Sequence, residues 1–224
     1  MDFKKIKTLS PLEVRIIDES RKEFEQRGYF KASVDLIAER TGIGKATVYR
    51  HFGKKATLFL FTIMYIMVNW EKEYDKIKEI EDFDAAIEAY ITAGLRFNQK
   101  HCDFMKSVSA EENFLTIKNE LQKNMDIKVM YAHIIDSRQR MIEIISQILD
   151  KGKTQKRISP DIRTDLSAEL IFMTFNQYFR ASCEIADMKK MLGQKVEFTM
   201  EEGLTELKKL ILRGLGVEKT LGEN

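Results

Sequence analysis

The chain has 224 residues, 44% of them apolar and 32% charged, and its 37 Lys and Arg against 35 Asp and Glu give a formal net charge of +2. This composition is ordinary for a soluble globular protein, and the length allows one large or two small domains with a substantial buried core. The only prolines are Pro11 and Pro160, and the many Lys, Glu, Ile, Leu and Met residues favour long helices over sheet.

The sequence argues against export and against a membrane span. The first ten residues are polar and basic, without the apolar stretch of a signal sequence. The longest apolar run, from Leu58 to Val68, is interrupted by Thr62 and is shorter than the roughly 20 residues that a transmembrane helix needs. Cys102 and Cys183 have no metal-type spacing, which fits a reducing compartment. We therefore expect a cytoplasmic protein without a membrane partner.

Charge is distributed unevenly along the chain. Residues 1–60 carry 13 Lys and Arg against 8 Asp and Glu, a net charge of +5, and the remainder is therefore at −3. A basic N-terminal segment on a mildly acidic remainder suggests a polyanion as partner. Solvated helix faces also produce such asymmetry, so the charge alone does not identify nucleic acid.

The first predicted helix begins at a strong start signal. Ser10 can act as N-cap, Pro11 suits the first turn, and Glu13 can complete a capping box. Apolar residues follow at helical spacing until Gly28, which tolerates a positive φ and is predicted to end the helix.

Two short helices are predicted next. The first runs from the N-cap Ser33 to about Thr41, and the second covers Lys45 to about His51, with Gly42-Ile43-Gly44 as a tight turn between them. Two short helices joined by a glycine turn and preceded by a supporting helix describe a helix-turn-helix. Val48 and Phe52 would anchor the second helix inward. Its outward side is small or polar, as entry into a DNA major groove about 12 Å wide requires, and comprises Lys45, Ala46, Thr47, Tyr49, Arg50 and His51.

The remaining pattern is helical throughout. A long helix is predicted from Lys55 towards Lys78, and a cap at Asp82 or Asp84 begins the next. The further predictions are a helix from Asp103 to Ala110, a stretch from Ile117 to Leu149 broken around Met125, a loop from Lys151 to Asp161, a helix through Leu166 to Phe179, and a last helix from Met200 to Leu215.

Residues Arg15 to Phe61 resemble the DNA-binding region of TetR-family transcriptional regulators almost position by position. The resemblance covers about one fifth of the chain. The segments that carry it are Phe24, Gly28-Tyr29, Ser33-Val34, Ile37-Ala38, Gly42-Ile43, Thr47 to Phe52, Lys55 and Leu58. Gly44 departs from the pattern, because many relatives have Ser or Thr there. Glycine still caps the helix, but a possible side-chain phosphate contact is lost.

The resemblance implies a set of DNA contacts. Ser33, at a helix N-terminus, would face a phosphate, and Tyr49, His51 and Lys55 would contact others. The candidates for base contacts are Lys45, Ala46, Thr47 and Arg50 beyond the Gly44 cap, with Arg50 suited to guanine and the methyl groups of Ala46 and Thr47 to thymine. Which of these residues reads bases stays open at this point.

The resemblance also implies an all-α architecture in two parts. Residues 1–54 would form a three-helix DNA-binding domain, and residues 55–224 a larger helical domain for effector binding and dimerisation. The helix that begins at Lys55 would connect the two, so that a bound effector changes the separation of two recognition helices. In a dimer these must lie about 34–36 Å apart to read two half-sites of a palindromic operator together.

The effector is expected to be small and apolar or amphipathic. The residues that could line its cavity are Trp70, Phe97, Phe104, Met105, Met141, Phe172, Phe175, Tyr178 and Phe179. An aromatic and Met pattern at helical spacing is also typical of an ordinary core. The predicted dimer interface consists of two helices per chain in a four-helix bundle, with Leu166, Leu170, Met173, Leu204, Leu207, Ile211 and Leu215 recurring at three- and four-residue spacing.

Enzymatic activity is the main alternative class. The only histidines are His51, His101 and His133, and none has metal-ligand spacing or a nucleophile signature beside it. We therefore expect no catalysis, no metal site and no cofactor. A DNA-binding protein without a small-molecule effector remains a second alternative, and the chain does not distinguish a repressor, the usual role in the family, from an activator.

Overall fold

A computed structural model describes residue 6, residues 8–109, residue 119 and residues 127–217 of the protein. Over these ranges the secondary structure is helical, without strands. The helices are α1 (Pro11–Lys31), α2 (Val34–Thr41), α3 (Lys45–Phe52), α4 (Lys55–Asp75), α5 (Phe83–Ser109), α6 (Ile127–Thr154), α7 (Thr164–Met191) and α8 (Met200–Gly214), with a 3₁₀ helix (Lys76–Glu79) between α4 and α5. The predicted all-α fold class is confirmed.

Local sequence signals set the start of α1 and a break inside it, although α1 ends at Lys31 and not at Gly28 as predicted. The Glu13 backbone N–H donates to Ser10 Oγ at 3.3 Å, and the Ser10 N–H donates to Glu13 Oε2 at 2.8 Å, which completes the predicted capping box. Gly28 breaks the helix with φ 67° and ψ 171°, and a last turn continues to Lys31. Glycine adopts this left-handed φ without the steric cost that a Cβ would bring.

Two predictions about the later helices are wrong. Asp103 does not begin a new helix, because α5 continues through it to Ser109. Gly152 does not lie in a loop, because α6 extends to Thr154. A Cβ on Gly152 would lie only 2.7 Å from a ring carbon of Phe83, so the glycine serves close packing inside a helix. The break predicted around Met125 lies outside the described residues.

The chain divides into two compact units. The first comprises Met1–Trp70 and Asp103–Ser137, and the second comprises Glu71–Cys102 and Arg138–Asn224. Helix α4 contributes residues to both units, and residues 58–61 in its first half are all buried, as the apolar run predicts. The domain boundary predicted between residues 54 and 55 stays a prediction.

Each unit has an aromatic core of its own. In the first, the ring of Phe59 packs edge-on against Phe24, with centroids 4.7 Å apart, and lies 5.8 Å from Phe104. In the second, Tyr90 packs against Tyr74 at 5.0 Å and Phe175 at 6.0 Å. The Tyr74 hydroxyl donates to the Tyr90 carbonyl at 3.3 Å, and burial raises the pKa of the Tyr90 hydroxyl. These edge-to-face contacts add to the stability that burial of the rings provides.

Three further features bear on the expected protein class. Among the described helices, none has both the length and the apolar character that crossing a bilayer requires. The described residues bring together no cluster of His, Cys, Asp and Glu that could hold a metal ion. Cys183 is buried on α7 and disulfide-bonded. Sequence spacing gave no sign of this bond, because disulfide pairing depends on how closely two Cα atoms approach in the fold.

Candidate nucleic-acid interface

The turn between α2 and α3 is built on Gly42. Its backbone is left-handed, with φ 70° and ψ 31°, and its N–H donates to the Glu39 carbonyl at 3.0 Å. The Ile43 N–H donates to the Ala38 carbonyl at 3.0 Å. These bonds close α2 and reverse the chain within three residues, as a helix-turn-helix requires. Gly44 then acts as the N-cap of α3 without a side-chain bond.

Helix α3 has one buried and one exposed side. Val48 and Phe52 are buried, as predicted, and the Phe52 ring lies 5.6 Å from that of Phe61 on α4. The opposite side carries exposed side chains at i, i+1, i+4 and i+5, which share one helix face. We call this face, formed by Lys45, Ala46, Tyr49 and Arg50, the recognition strip. Thr47 and His51 flank it and are half-buried.

Lys45, at the start of the strip, is already paired. Its Nζ lies 2.8 Å from Asp35 Oδ2 on α2 and 6.0 Å from the centroid of the Tyr49 ring. The hydrogen bond to Asp35 raises the pKa of the Lys45 ammonium. Both side chains are about half exposed or more, so solvent screens the attraction. An anion binding at Lys45 must therefore compete with the Asp35 carboxylate.

Glu23 connects α1 to α2 from the buried side. Its side chain is 0% exposed, and its Oε2 accepts a hydrogen bond from Arg40 Nη1 at 3.0 Å. Its Oε1 accepts from the Ser33 backbone N–H at 3.0 Å and lies 3.1 Å from Arg27 Nε. A buried carboxylate needs such charged and hydrogen-bonding partners. The N-terminus of α2, where Ser33 is expected to face a phosphate, is thereby fixed to α1.

Glu13 contacts helix α3 as well as Ser10, the N-cap of its own helix. His51 Nδ1, in the last turn of α3, lies 3.1 Å from Glu13 Oε1, although the two residues are 38 positions apart. Glu13 is buried, whereas 24% of the His51 side chain is exposed. The buried carboxylate therefore holds the imidazole in place at the edge of the recognition strip.

Lys55 has a local partner in addition to any contact it makes with DNA. Its Nζ donates to the Phe30 carbonyl at 3.0 Å and lies 5.0 Å from the centroid of the Tyr29 ring. A cation at the last carbonyls of a helix interacts favourably with the helix dipole. Lys55 thus stabilises the end of α1, and its expected phosphate contact stays a prediction.

The family model for bacterial regulatory proteins of the tetR family matches residues 16–60, which span α1 to the start of α4. The match confirms that the helix-turn-helix segment resembles that of the TetR family, as the sequence predicts. No curated protein sequence matches this chain.

Solved structures resemble the chain over most of its length. PfmR from Thermus thermophilus, a TetR-family transcriptional regulator, is 22% identical with a TM-score of 0.62, covering 92% of this chain and 100% of that one. The fatty acid degradation regulator FadR from Bacillus halodurans is 18% identical with a TM-score of 0.61, covering 94% and 99%. FadR from Bacillus subtilis, solved in complex with stearoyl-CoA, is 19% identical with a TM-score of 0.53, covering 90% and 96%. At these identities the likeness shows the shared fold.

The residues predicted to line an effector cavity are distributed over both units. In the second unit, Met141, Phe175 and Phe179 are buried, and Phe97, Phe172 and Tyr178 are half-buried. Trp70, half-buried, and Phe104, buried, belong to the first unit. The side chain of Met105 lies outside the described part of the chain.

Tyr178 packs closely on the last helix. A Cβ built on Gly203 in α8 would lie 2.6 Å from Tyr178 Cζ and would overlap the hydroxyl. At Gly94 a Cβ would lie 3.1 Å from the Tyr74 hydroxyl and 3.5 Å from Phe179 Cε2, so the Phe179 ring makes only an ordinary contact there. Of the predicted cavity residues, Tyr178 therefore also serves helix packing through a glycine.

The predicted dimer residues differ in exposure. Leu166, Leu170 and Met173 on α7 are about half exposed, Leu207 and Ile211 on α8 are half-buried, and Leu204 and Leu215 are buried within their own unit. Leu210, which the sequence analysis did not name, is 60% exposed on α8. A contiguous patch of exposed apolar side chains marks a contact with another molecule, whereas a single exposed one is ordinary.

Sequence reasoning missed three acidic residues at the interface. Glu13 was assigned only to the cap of α1, and Glu23 and Asp35 were given no role. Besides local partners, each has a partner that lies 10 to 38 residues away in the sequence. The one available signal for Glu23 was an acidic residue one position before the buried Phe24 of an amphipathic helix.

Proposed function

We propose that this protein is a TetR-family regulator that binds palindromic operator DNA as a homodimer, acts as a repressor, and is released by a small apolar or amphipathic effector. The observation that carries the proposal is the recognition strip, which exposes Lys45, Ala46, Tyr49 and Arg50 opposite the buried anchors Val48 and Phe52. A rigid helix with a small, polar outer face fits a DNA major groove.

Roles for the individual residues follow from their chemistry. Arg50 offers a bidentate fork for guanine, while Ala46 and the Thr47 methyl suit a thymine methyl. Tyr49, His51, Ser33 and Lys55 are assigned to phosphates, which set the register of the protein on DNA. Lys45 reaches either a base edge or a phosphate once it leaves Asp35.

Exposed leucines support the dimer. Leu166, Leu170 and Met173 recur at four- and three-residue spacing, so they lie on one face of α7. Leu210 adds an exposed apolar group on α8, which makes contact with α7. Two such helices from each protomer suit a four-helix bundle. Leu170→Glu is expected to yield a folded monomer in sedimentation velocity, and an unchanged dimer would contradict this interface.

Two observations support an apolar or amphipathic effector. The second unit holds a cluster of aromatic side chains in which Tyr90 contacts Tyr74 and Phe175. FadR from Bacillus subtilis, which shares the fold, was solved with stearoyl-CoA, an amphipathic ligand. An effector that binds the folded protein raises its melting temperature. If no apolar or amphipathic compound in a broad set does so, a regulator without a small-molecule effector becomes the better description.

The decisive experiment is selection of bound fragments from a genomic library, followed by affinity measurements over a salt series. We expect one enriched palindrome, with half-sites about 10 base pairs apart, and an affinity that falls steeply with salt. Arg50→Ala should reduce the preference for the selected site over a scrambled one. Arg163→Ala is the matched control, because this exposed arginine is the N-cap of α7 and lies outside the proposed DNA interface. Absence of any enriched fragment would refute operator binding by the free protein.

A further inference from the structure

Glu71 on α4 and Arg140 on α6 form a charged pair within the second unit. Arg140 Nη2 donates a hydrogen bond to Glu71 Oε2 at 2.6 Å. Glu71 is only 9% exposed, whereas 38% of the Arg140 side chain is exposed. A carboxylate that loses its hydration needs hydrogen bonds to both of its oxygens to offset that loss. The partners of each polar atom in this pair are therefore informative.

The pair leaves two buried polar atoms without a hydrogen bond. Within the described part of the chain, neither Glu71 Oε1 nor Arg140 Nε has a hydrogen-bond partner. Nε and Nη2 lie on one edge of the planar guanidinium, and a carboxylate commonly binds both atoms of such an edge at once. Here Glu71 binds Nη2 alone, through one oxygen. An unpaired acceptor and an unpaired donor therefore lie beside the same hydrogen bond.

Apolar side chains lie on the same helix faces as the pair. Tyr74 follows Glu71 by three positions on α4, Ile144 follows Arg140 by four positions on α6, and both are buried. Residues three and four positions apart share a helix face. The Tyr74 ring also packs against Tyr90, with centroids 5.0 Å apart. A few polar atoms beside apolar side chains are typical of sites that orient a mostly apolar ligand.

The two unpaired atoms select the kind of polar group that fits between them. A hydroxyl group can accept from Arg140 Nε and donate to Glu71 Oε1, and a primary amide does the same with its carbonyl and its NH₂ group. A carboxylate has only acceptors and would place one of them against the glutamate oxygen. An ammonium group has only donors and would place one of them against the guanidinium. The charges of the pair also cancel, so neither ion gains a net attraction.

We propose that Glu71 Oε1 and Arg140 Nε form the polar subsite of the effector site, and that the subsite binds an amphipathic molecule whose polar end is an uncharged group able both to donate and to accept a hydrogen bond. This inference rests on the proposed release by an effector, and it narrows the class of that effector. Alcohols and primary amides with an apolar body fit the subsite, whereas carboxylates and amines with the same body do not.

The test compares four probes that share one alkyl chain, namely 1-octanol, octanamide, octanoate and octylammonium. Their affinities for the full-length protein without DNA are measured by calorimetry at one neutral pH and one ionic strength, with the rise in melting temperature as a second measure. 1-Octanol and octanamide should bind about 10-fold or more tightly than the two ions, because each ion leaves one atom of the pair buried and unpaired.

Glu71→Gln should shift this preference towards the anion. Glutamine can bind Arg140 Nη2 through its carbonyl and present its NH₂ group in place of Oε1. The subsite then offers donors only and carries a net positive charge. The ratio of the octanoate affinity to the 1-octanol affinity should rise by about 10-fold or more relative to wild type. Glu73→Gln is the matched control, because it removes the same charge from an exposed position two residues along α4 and should keep the wild-type ratio.

The outcomes separate the subsite from the proposed function. Equal affinities for the neutral and charged probes, or a Glu71→Gln ratio equal to that of Glu73→Gln, overturn the subsite and leave an amphipathic effector in place. If none of the four probes binds, the subsite is overturned and an effector of this kind loses its support, while operator selection is unaffected. Failure of operator selection leaves the order of the probes unchanged. If Glu71→Gln does not fold, the order of the four probes in wild type decides.

Discussion

Glu23→Gln removes the buried negative charge that connects α1 to α2. The wild-type carboxylate is 0% exposed and has Arg27, Arg40 and the Ser33 N–H as partners. Glutamine keeps one acceptor oxygen but directs its NH₂ group towards groups that are themselves donors. Breaking a buried ion pair costs about 3–5 kcal/mol when the remaining charge stays buried. Here the arginine side chains are 50% and 35% exposed and can hydrate, so we expect about 2–3 kcal/mol.

Glu25→Gln provides the matched control two residues away on the same helix. Glu25 pairs with Arg21 at 2.8 Å, and both side chains are more than one fifth exposed. Such a surface pair at i, i+4 contributes about 0.3–0.5 kcal/mol. Both variants should be unfolded by urea and by heat at one protein concentration, because the apparent stability of a dimer depends on concentration.

The two variants should differ clearly. For a chain of this size each kcal/mol shifts the melting temperature by about 2–4 °C. Glu23→Gln should therefore melt about 4–12 °C below wild type, and Glu25→Gln close to it. Operator affinity should also fall in Glu23→Gln, since Ser33 loses its fixed position. Equal unfolding free energies for the two variants would refute the idea that Glu23 holds α2 in place.

Three further substitutions test other parts of the structure. Gly42→Ala should lower the free energy of unfolding by about 1 kcal/mol, because a φ of 70° is unfavourable for a residue with a side chain. Gly44→Ser should leave it unchanged within about 0.5 kcal/mol. Equal urea midpoints for the two variants would contradict the turn geometry. Gly203→Ala should lower the melting temperature, because its methyl group would overlap the half-buried ring of Tyr178. Gly214→Ala on the same helix, with no atom near its Cβ, should not; identical melting curves would argue against this packing. Asp35→Asn should strengthen operator binding severalfold and steepen its salt dependence, because Lys45 is then free to bind phosphate. Unchanged affinity in a salt titration would contradict competition between Asp35 and DNA for Lys45.

The helix-turn-helix could be predicted from sequence because its signals are local. The Ser10-Pro11 start, the Ser33 cap and the Gly42 turn each act through hydrogen bonds or backbone angles within about four residues. The spacing of Val48 and Phe52 gave the buried side of α3, and the recognition strip follows from it. These elements lie where the sequence predicts them, to within a residue or two.

Helix continuity in the later chain depended on packing. The sequence around Asp103 has cap-like residues, yet α5 continues through it, because a potential cap does not end a helix whose neighbours still bury it. Gly152 looked like a loop residue and lies in α6 because the Phe83 ring occupies the space of a side chain. A local sequence pattern around Gly152 cannot indicate that the ring of Phe83, 69 residues earlier in the chain, packs against it.

The electrostatic contacts of the candidate site were decided by the tertiary structure in the same way. The sequence by itself determined the family resemblance, the helix-turn-helix and the basic N-terminal segment. Only the fold brought Glu13 to His51, Glu23 to Arg40, and Lys55 to the Phe30 carbonyl. Hydrogen bonds act over about 3 Å, so their partners are fixed by the approach of helices and not by distance along the chain.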